Sequence, residues 1–317
     1  MTAVVADTGP DVGVPWHYGD PMREQRLLTG GEGVVDLSHR GVITVTGPDR
    51  LTWLHSLTTQ HLEGLEPGRG VTTLVLSPHG HIEHALYGVD DGETFWAHTE
   101  PGCAAALVSW LDSMRFLMRV EVHNRGADWA VVWSAAQLAG DNLVRVGTDS
   151  LGGRELFVAR ARLGDVVDRG PRAGTWALEA HRIAAGVPRI GLDTDHRTIP
   201  NEVDLLGVAV HMDKGCYRGQ ETVARVHNLG RPPRRLVRLH LDGSADMLPA
   251  AKASLLLDGR AVGFVGGSTR HFELGPIALG LIKRITPLDA ALIVDGIAAA
   301  QEPLVDPDIG LHVRPAR

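Results

Sequence analysis

Residues 42–46 are rich in β-branched side chains and run into Gly47-Pro48-Asp49, after which Leu51, Leu54, His55 and Leu57 recur at helical spacing. The pattern predicts a strand, a turn and a helix. Residues 72–76 predict a further strand, Ser77-Pro78-His79-Gly80 a turn, and residues 82–89 and 94–98 two strands joined around Asp91-Gly92. Between 101 and 114 the apolar Ala104, Leu107, Val108 and Leu111 share one helical face, which needs a sheet to pack on. Strands are expected again at 117–122 and 130–133.

A second helix starts after Thr175, whose hydroxyl suits an N-cap, and stops at Gly186 with Pro188 beyond it. Its face carries Trp176, Ala180, Ile183 and Ala184. Past the stiff, basic Arg231-Pro232-Pro233-Arg234-Arg235 the pattern changes to strands alone, at 236–241, 254–257, 261–265, 277–285 and 292–300, with Asp258-Gly259 and Asp295-Gly296 as hairpin turns. Short strands so spaced make a small barrel or sandwich. The expected organisation is an arm at 1–20 with little regular structure, an α+β region at 21–230 and an all-β domain at 231–317.

Composition narrows the function classes. Of 317 residues 44% are hydrophobic and 22% charged, with 31 Lys plus Arg against 38 Asp plus Glu, a net charge of −7. That is an ordinary globular chain, long enough for two or three domains at about 150 residues each, and its mild acidity gives no global attraction for nucleic acid. No apolar run approaches the ~20 residues of a bilayer span. The first 20 residues hold Asp7, Asp11 and Asp20 and no basic block before an apolar one, which is wrong for a secretory signal, so a cytoplasmic location away from membranes is expected. Cys103 and Cys216 allow at most one disulfide and cannot supply the four ligands of an iron–sulfur cluster from one chain.

The candidate chemistry lies in Lys214-Gly215-Cys216-Tyr217-Arg218-Gly219-Gln220-Glu221 and in the earlier Pro200-Asn201-Glu202. Glycines flanking a Cys-Tyr pair let the backbone turn tightly and approach a ligand or another chain. Lys214, Arg218 and Arg225 lie near Cys216 in sequence, and cations at short range favour a thiolate. Two readings stay open: a reactive thiol, or a small buried side chain beside turn glycines. No metal site is expected, because His211, Cys216 and His227 match no zinc spacing. A P-loop, a glycine-rich dinucleotide turn and a His-Asp-Ser order are all missing.

The string from Lys214 to Glu221 resembles the K-G-C-[YF]-x-G-Q-E signature of the YgfZ folate-binding family, relatives of the aminomethyltransferase T-protein of the glycine cleavage system. Residues 182–188 (R-I-A-A-G-V-P) are similar to that family's R-x-x-A-G-x-P helix end, and residues 36–47 to its first strand. The resemblance implies an α+β, T-protein-like fold: two interleaved α+β domains around a central folate site, then a C-terminal β-barrel. It also implies tetrahydrofolate or another reduced folate as cofactor, with Trp176 at the folate, Glu202 as the carboxylate facing the pterin and Arg225 for the acidic tail. Trp176 as a core anchor and Glu202 as a helix N-terminal charge remain alternatives.

The chain departs from T-proteins where they carry an aspartate pair after a Gly-Gly turn. Here Glu83 and His84 stand in Gly80-His81-Ile82-Glu83-His84. An extra methylene displaces a carboxylate by more than ~1 Å, enough to slow a positioned proton transfer strongly. Loss of the acid and gain of Cys216 set the chain apart from T-proteins, and the resemblance to the YgfZ family implies a folate-binding accessory factor in assembly or repair of iron–sulfur clusters, with client proteins that include tRNA-modifying enzymes. The alternative is a tetrahydrofolate-dependent, aminomethyltransferase-like one-carbon transferase with Glu83 in place of the aspartate. Direct RNA binding through Arg231, Arg234, Arg235 and Arg238 is a third reading. Arginines at a domain joint with few aromatics between them are instead expected as an electrostatic seam or solvated edge.

Overall fold

The computed structural model describes residues 2–140, 142–147, 151–311 and 313. The chain weaves between two compact units, one made of residues 1–75, 84–178 and 213–217 and the other of 76–83, 179–212 and 218–317.

In the first unit the arm carries more order than its composition suggests. Val4–Val5 pairs antiparallel with Pro15–His17, a ladder too short to show a period in sequence. Asp11 folds back onto His39 at 2.8 Å. A helix, Pro21–Thr29, follows with Asp20 accepting the Arg23 N–H at 3.0 Å as its N-cap. No apolar stripe announces this helix, since Glu24 and Gln25 are buried along with Leu28.

Two five-stranded sheets form the body of this unit. One runs Gly70–Leu76, Ile82–Asp90, Thr94–Thr99, Gly41–Thr46, Glu121–Asn124. The helices Arg50–Leu57 and Ala104–Ser113 belong to its core, where Trp53, Leu54, Leu107 and Leu111 pack with Ile43, Val45, Leu86 and Phe95. The strand expected at 117–122 begins only at Glu121. Phe116 and Leu117 are 91% and 82% exposed, so their apolar character reports a surface tip and not a buried face.

The second sheet runs Leu143–Val146, Arg154–Ala159, Trp129–Ser134, Val34–Asp36, Arg172–Ala173, and its last pair is parallel. Val35, Val131, Trp133 and Phe157 pack on one of its faces, Val34, Ala130, Val132 and Val158 on the other. Only the 130–133 strand is legible in the sequence. The strands Leu143–Val146 and Arg154–Ala159 carry Arg145 and Glu155 directly opposite each other, buried and bonded at 2.5 Å, so polar residues stand where a core strand would show apolar ones.

The second unit contains a closed barrel in the order Arg234–Leu241, Gly275–Lys283, Arg260–His271, Ser254–Leu257, Leu292–Val294, Ile297–Pro303. The hairpins turn at Asp258-Gly259 and Asp295-Gly296 as expected, all four residues having positive φ. Arg234 and Arg235 are not connector residues but open the first barrel strand. Arg235 is wholly buried and donates to the carbonyls of Arg284 (2.5 Å) and Thr286 (2.9 Å). Among the described residues no helix is long and apolar enough to cross a membrane.

Candidate functional site

The first part of the signature sits in the first unit as a loop held by two buried side chains. Lys214 Nζ donates to the carbonyl oxygens of His55, Thr58 (2.6 Å) and Gln60 (3.1 Å). Helix Arg50–Leu57 ends there, where backbone carbonyls lack helical partners and carry the negative end of the macrodipole. A lysine about 160 residues away thus caps that helix. Burial pulls its pKa down to about 8, against a smaller upward pull from Glu63, so it is mostly charged at neutral pH.

The Lys214 ammonium also lies 5.3 Å from the centre of the Tyr217 ring. Tyr217 is buried, which pushes its phenol up to about 12. Between these anchors Cys216 is exposed and unbridged, which removes the reading of a small buried side chain. The donors of Lys214 are engaged by these carbonyls. Gly215 has open space where a Cβ would lie, and nothing in its surroundings requires glycine.

The rest of the signature belongs to the second unit. Arg218 Nη1 pairs with Glu83 Oε2 at 3.0 Å, so the carboxylate expected in place of the T-protein acid carries an arginine partner from the signature itself. Gly219, in the left-handed region, caps helix Gln220–Leu229. Gln220 is half-buried and Glu221 exposed in the first turn. Arg225 is exposed, with no ion pair to it among the described residues.

Glu202 is buried in the same unit on the turn Pro200–Glu202. Its carboxylate accepts Arg234 Nε and Nη2, both at 2.9 Å, and the Ile199 N–H at 3.1 Å. Arg234 forks further onto Asp195, at 2.7 and 3.1 Å. Burial alone would raise the Asp195 carboxyl, but the Arg234 and Thr198 hydrogen bonds hold it well below the usual carboxylate range. Glu202 is therefore an acidic residue in the first turn of this short helix, as the alternative reading has it, and also the buried member of an ion-pair cluster whose Arg234 and Asp195 are half-buried.

Arg182, first residue of the R-x-x-A-G-x-P helix end, is likewise a buried hub, bonded to Asp193 at 2.7 Å, Glu179 at 2.7 Å and the Val187 carbonyl at 2.6 Å. Asp193 also accepts the Gly267 N–H of the barrel at 2.7 Å. This part of the sequence pattern has a structural reason: it fastens the helix end to the loop beyond it.

Trp176, in the first unit, is half-buried and stacks on Trp16 with ring centres 4.6 Å apart and planes at 15°. Sequence reasoning missed Trp16 and Arg234 as partners of the expected residues; the run Trp16-His17-Tyr18, at the end of an arm expected to have little regular structure, was the available signal. It also missed a buried cluster in which Glu155 meets Arg145 and His98 at 2.5 and 3.0 Å while His98 stacks on Tyr87 at 4.9 Å. Trp176, Lys214, Cys216 and Tyr217 fall in one unit, Glu202, Gln220, Glu221 and Arg225 in the other. Among the described residues no group of three or more His, Cys, Asp or Glu is placed to hold a metal ion.

Comparison with known proteins bears on the fold first. Residues 3–140 match the model of the GCVT N-terminal domain family. The crystal structure of the glycine cleavage system aminomethyltransferase T from Bartonella henselae superposes with a TM-score of 0.79 over 97% of this chain and 95% of that one, at 18% identity. The T-protein-like fold with its C-terminal barrel, expected from the signature, is the fold adopted. An aminomethyltransferase of Synechococcus is 27% identical over 90% of this chain and 88% of its own length. A putative chloroplastic transferase of Arabidopsis thaliana is 27% identical over 78% of this chain, and the match spans 65% of that protein's length. A mitochondrial iron–sulfur cluster assembly factor IBA57 homolog of Mycosarcoma maydis is 26% identical over 63% of this chain and 55% of its own length.

Proposed function

We propose that this protein is a folate-binding accessory factor of the YgfZ type that serves assembly or repair of iron–sulfur clusters in client enzymes, tRNA-modifying enzymes among them. The observation that carries the proposal is the signature loop. Lys214 and Tyr217 are buried anchors, and the side chain they hold out to solvent is Cys216. A fixed exposed thiol suits a transient sulfur ligand to a client's cluster, which is substrate here, as the chain has too few cysteines to hold one itself. The similarity to an iron–sulfur cluster assembly factor supports the same reading.

The residues present fit a reduced folate by type. Trp176 belongs to an aromatic surface, the Glu202 carboxylate keeps one lone-pair direction on Oε1 beyond its Arg234 and Ile199 bonds, and Arg225 is an exposed cation. Each taken by itself, Trp176 suits the flat pterin, Glu202 its donors and Arg225 the acidic tail. Bound folate supplies a carrier for one-carbon units.

The second reading, a one-carbon transferase, is favoured by the shared fold and the similarity to aminomethyltransferases. Against it stands Glu83, whose carboxylate replaces the T-protein aspartate and is engaged by Arg218 at 3.0 Å. Two measurements decide. A Cys216→Ala chain is expected to fail where wild type restores cluster-enzyme activity in a deletion strain; equal rescue removes the thiol from the function. Purified protein with tetrahydrofolate and an aminomethyl donor is expected to bind folate without turnover, and turnover would establish the transferase instead.

A further inference from the structure

We propose that Trp16 and Trp176 form a rigid shelf of two indoles, and that its outer ring, Trp16, is the surface on which the flat pterin ring stacks. The inference rests on the folate reading above and moves the ring contact from Trp176 to Trp16. The indoles are nearly parallel, at 15° with centres 4.6 Å apart, so one face of Trp176 is already covered by an aromatic neighbour. Trp16 is 43% exposed and is the more exposed of the two residues.

The shelf is a fixed platform because the segments carrying the two indoles are tied together. Buried Glu24 accepts the N–H of Tyr18, two residues after Trp16, at 2.7 Å, and the N–H of Gly174, two residues before Trp176, at 2.8 Å. The Thr175 hydroxyl donates to the Pro15 carbonyl at 3.4 Å. His17 meets the Trp176 ring edge-on at 6.0 Å. Lifting the backbone that carries Trp16 would take the Tyr18 N–H from a buried carboxylate, which argues against a cover that moves with its segment. A preorganised aromatic face loses little freedom on binding.

The test is calorimetric titration of the full chain with tetrahydrofolate, comparing wild type, Trp16→Ala and Trp16→Phe, with circular dichroism to follow the exciton couplet of paired indoles. Trp16→Ala is expected to weaken binding about tenfold or more, the scale of a lost ring-on-aromatic stack. Trp16→Phe is expected to recover most of that loss. Trp96 and Trp129, with ring centres 4.5 Å apart, give a couplet of their own, so the part due to Trp16 and Trp176 is read as the wild-type minus Trp16→Ala difference, which should persist in wild type saturated with tetrahydrofolate. Unchanged or tighter binding by Trp16→Ala, or a difference that collapses as wild type takes up folate, would overturn the platform and make Trp16 a bystander or a lid. No binding by wild type would sink the folate reading itself, and the inference with it.

Discussion

Gly219 of the signature and Gly80 of the turn between two sheet strands meet backbone to backbone. A Cβ on Gly219 would lie 2.9 Å from Gly80 Cα and inside contact distance of the Ser77 carbonyl, and a Cβ on Gly80 would lie 2.9 Å from Thr222 Cβ. Both residues have positive φ, +82° and +80°. Side chains at either place are excluded twice, by backbone conformation and by space.

Gly219→Ala is therefore expected to destabilise the protein by about 2 kcal/mol or more, the left-handed penalty plus a backbone shift. Gly215→Ala, at a site with open space, should stay within about 0.5 kcal/mol of wild type. Urea unfolding of the two variants checks the contrast, and equal losses would refute it.

Arg234→Met should cost about 3–5 kcal/mol, because it leaves the buried Glu202 without its bidentate partner and Asp195 without its fork. Glu202→Gln should cost less, since the amide oxygen still accepts from Arg234. Thermal unfolding monitored by circular dichroism ranks the two.

Glu155 governs part of the acid limb. Burial alone would raise its carboxyl, but Arg145 and His98 hold it far below the usual range. A carboxyl with a lower pKa folded than unfolded adds stability that is complete above its unfolded value of about 4.3 and is lost as pH falls further. Stability measured from pH 6 down to 3 should accordingly fall less steeply in Glu155→Gln than in wild type. A parallel pair of curves would show that the pair does not drive acid unfolding.

The two cysteines should differ in reactivity. Cys216 is exposed, whereas Cys103 is half-buried and its thiol is pushed up by burial and by Glu100. A disulfide reagent in excess at pH 8 should react in a fast and a slow phase. Cys216→Ala should delete the fast phase alone while changing stability by less than about 0.5 kcal/mol.

Local pattern determined much of this protein. The apolar runs placed the core strands, the helical repeats placed the two helices at 104–113 and 175–185, and the Asp-Gly pairs placed both barrel hairpins, because each is decided by neighbours a few residues apart. The rare composition of the signature marked the segment that holds Cys216. Tertiary structure alone decided what the polar residues do. Lys214 caps a helix that ends at Leu57, Trp16 stacks on Trp176, and Arg145 with Glu155 makes two strands that no alternation reveals. Burying a charge or pairing two rings depends on a partner supplied by the folded chain from far away in sequence, and no periodicity records that distance.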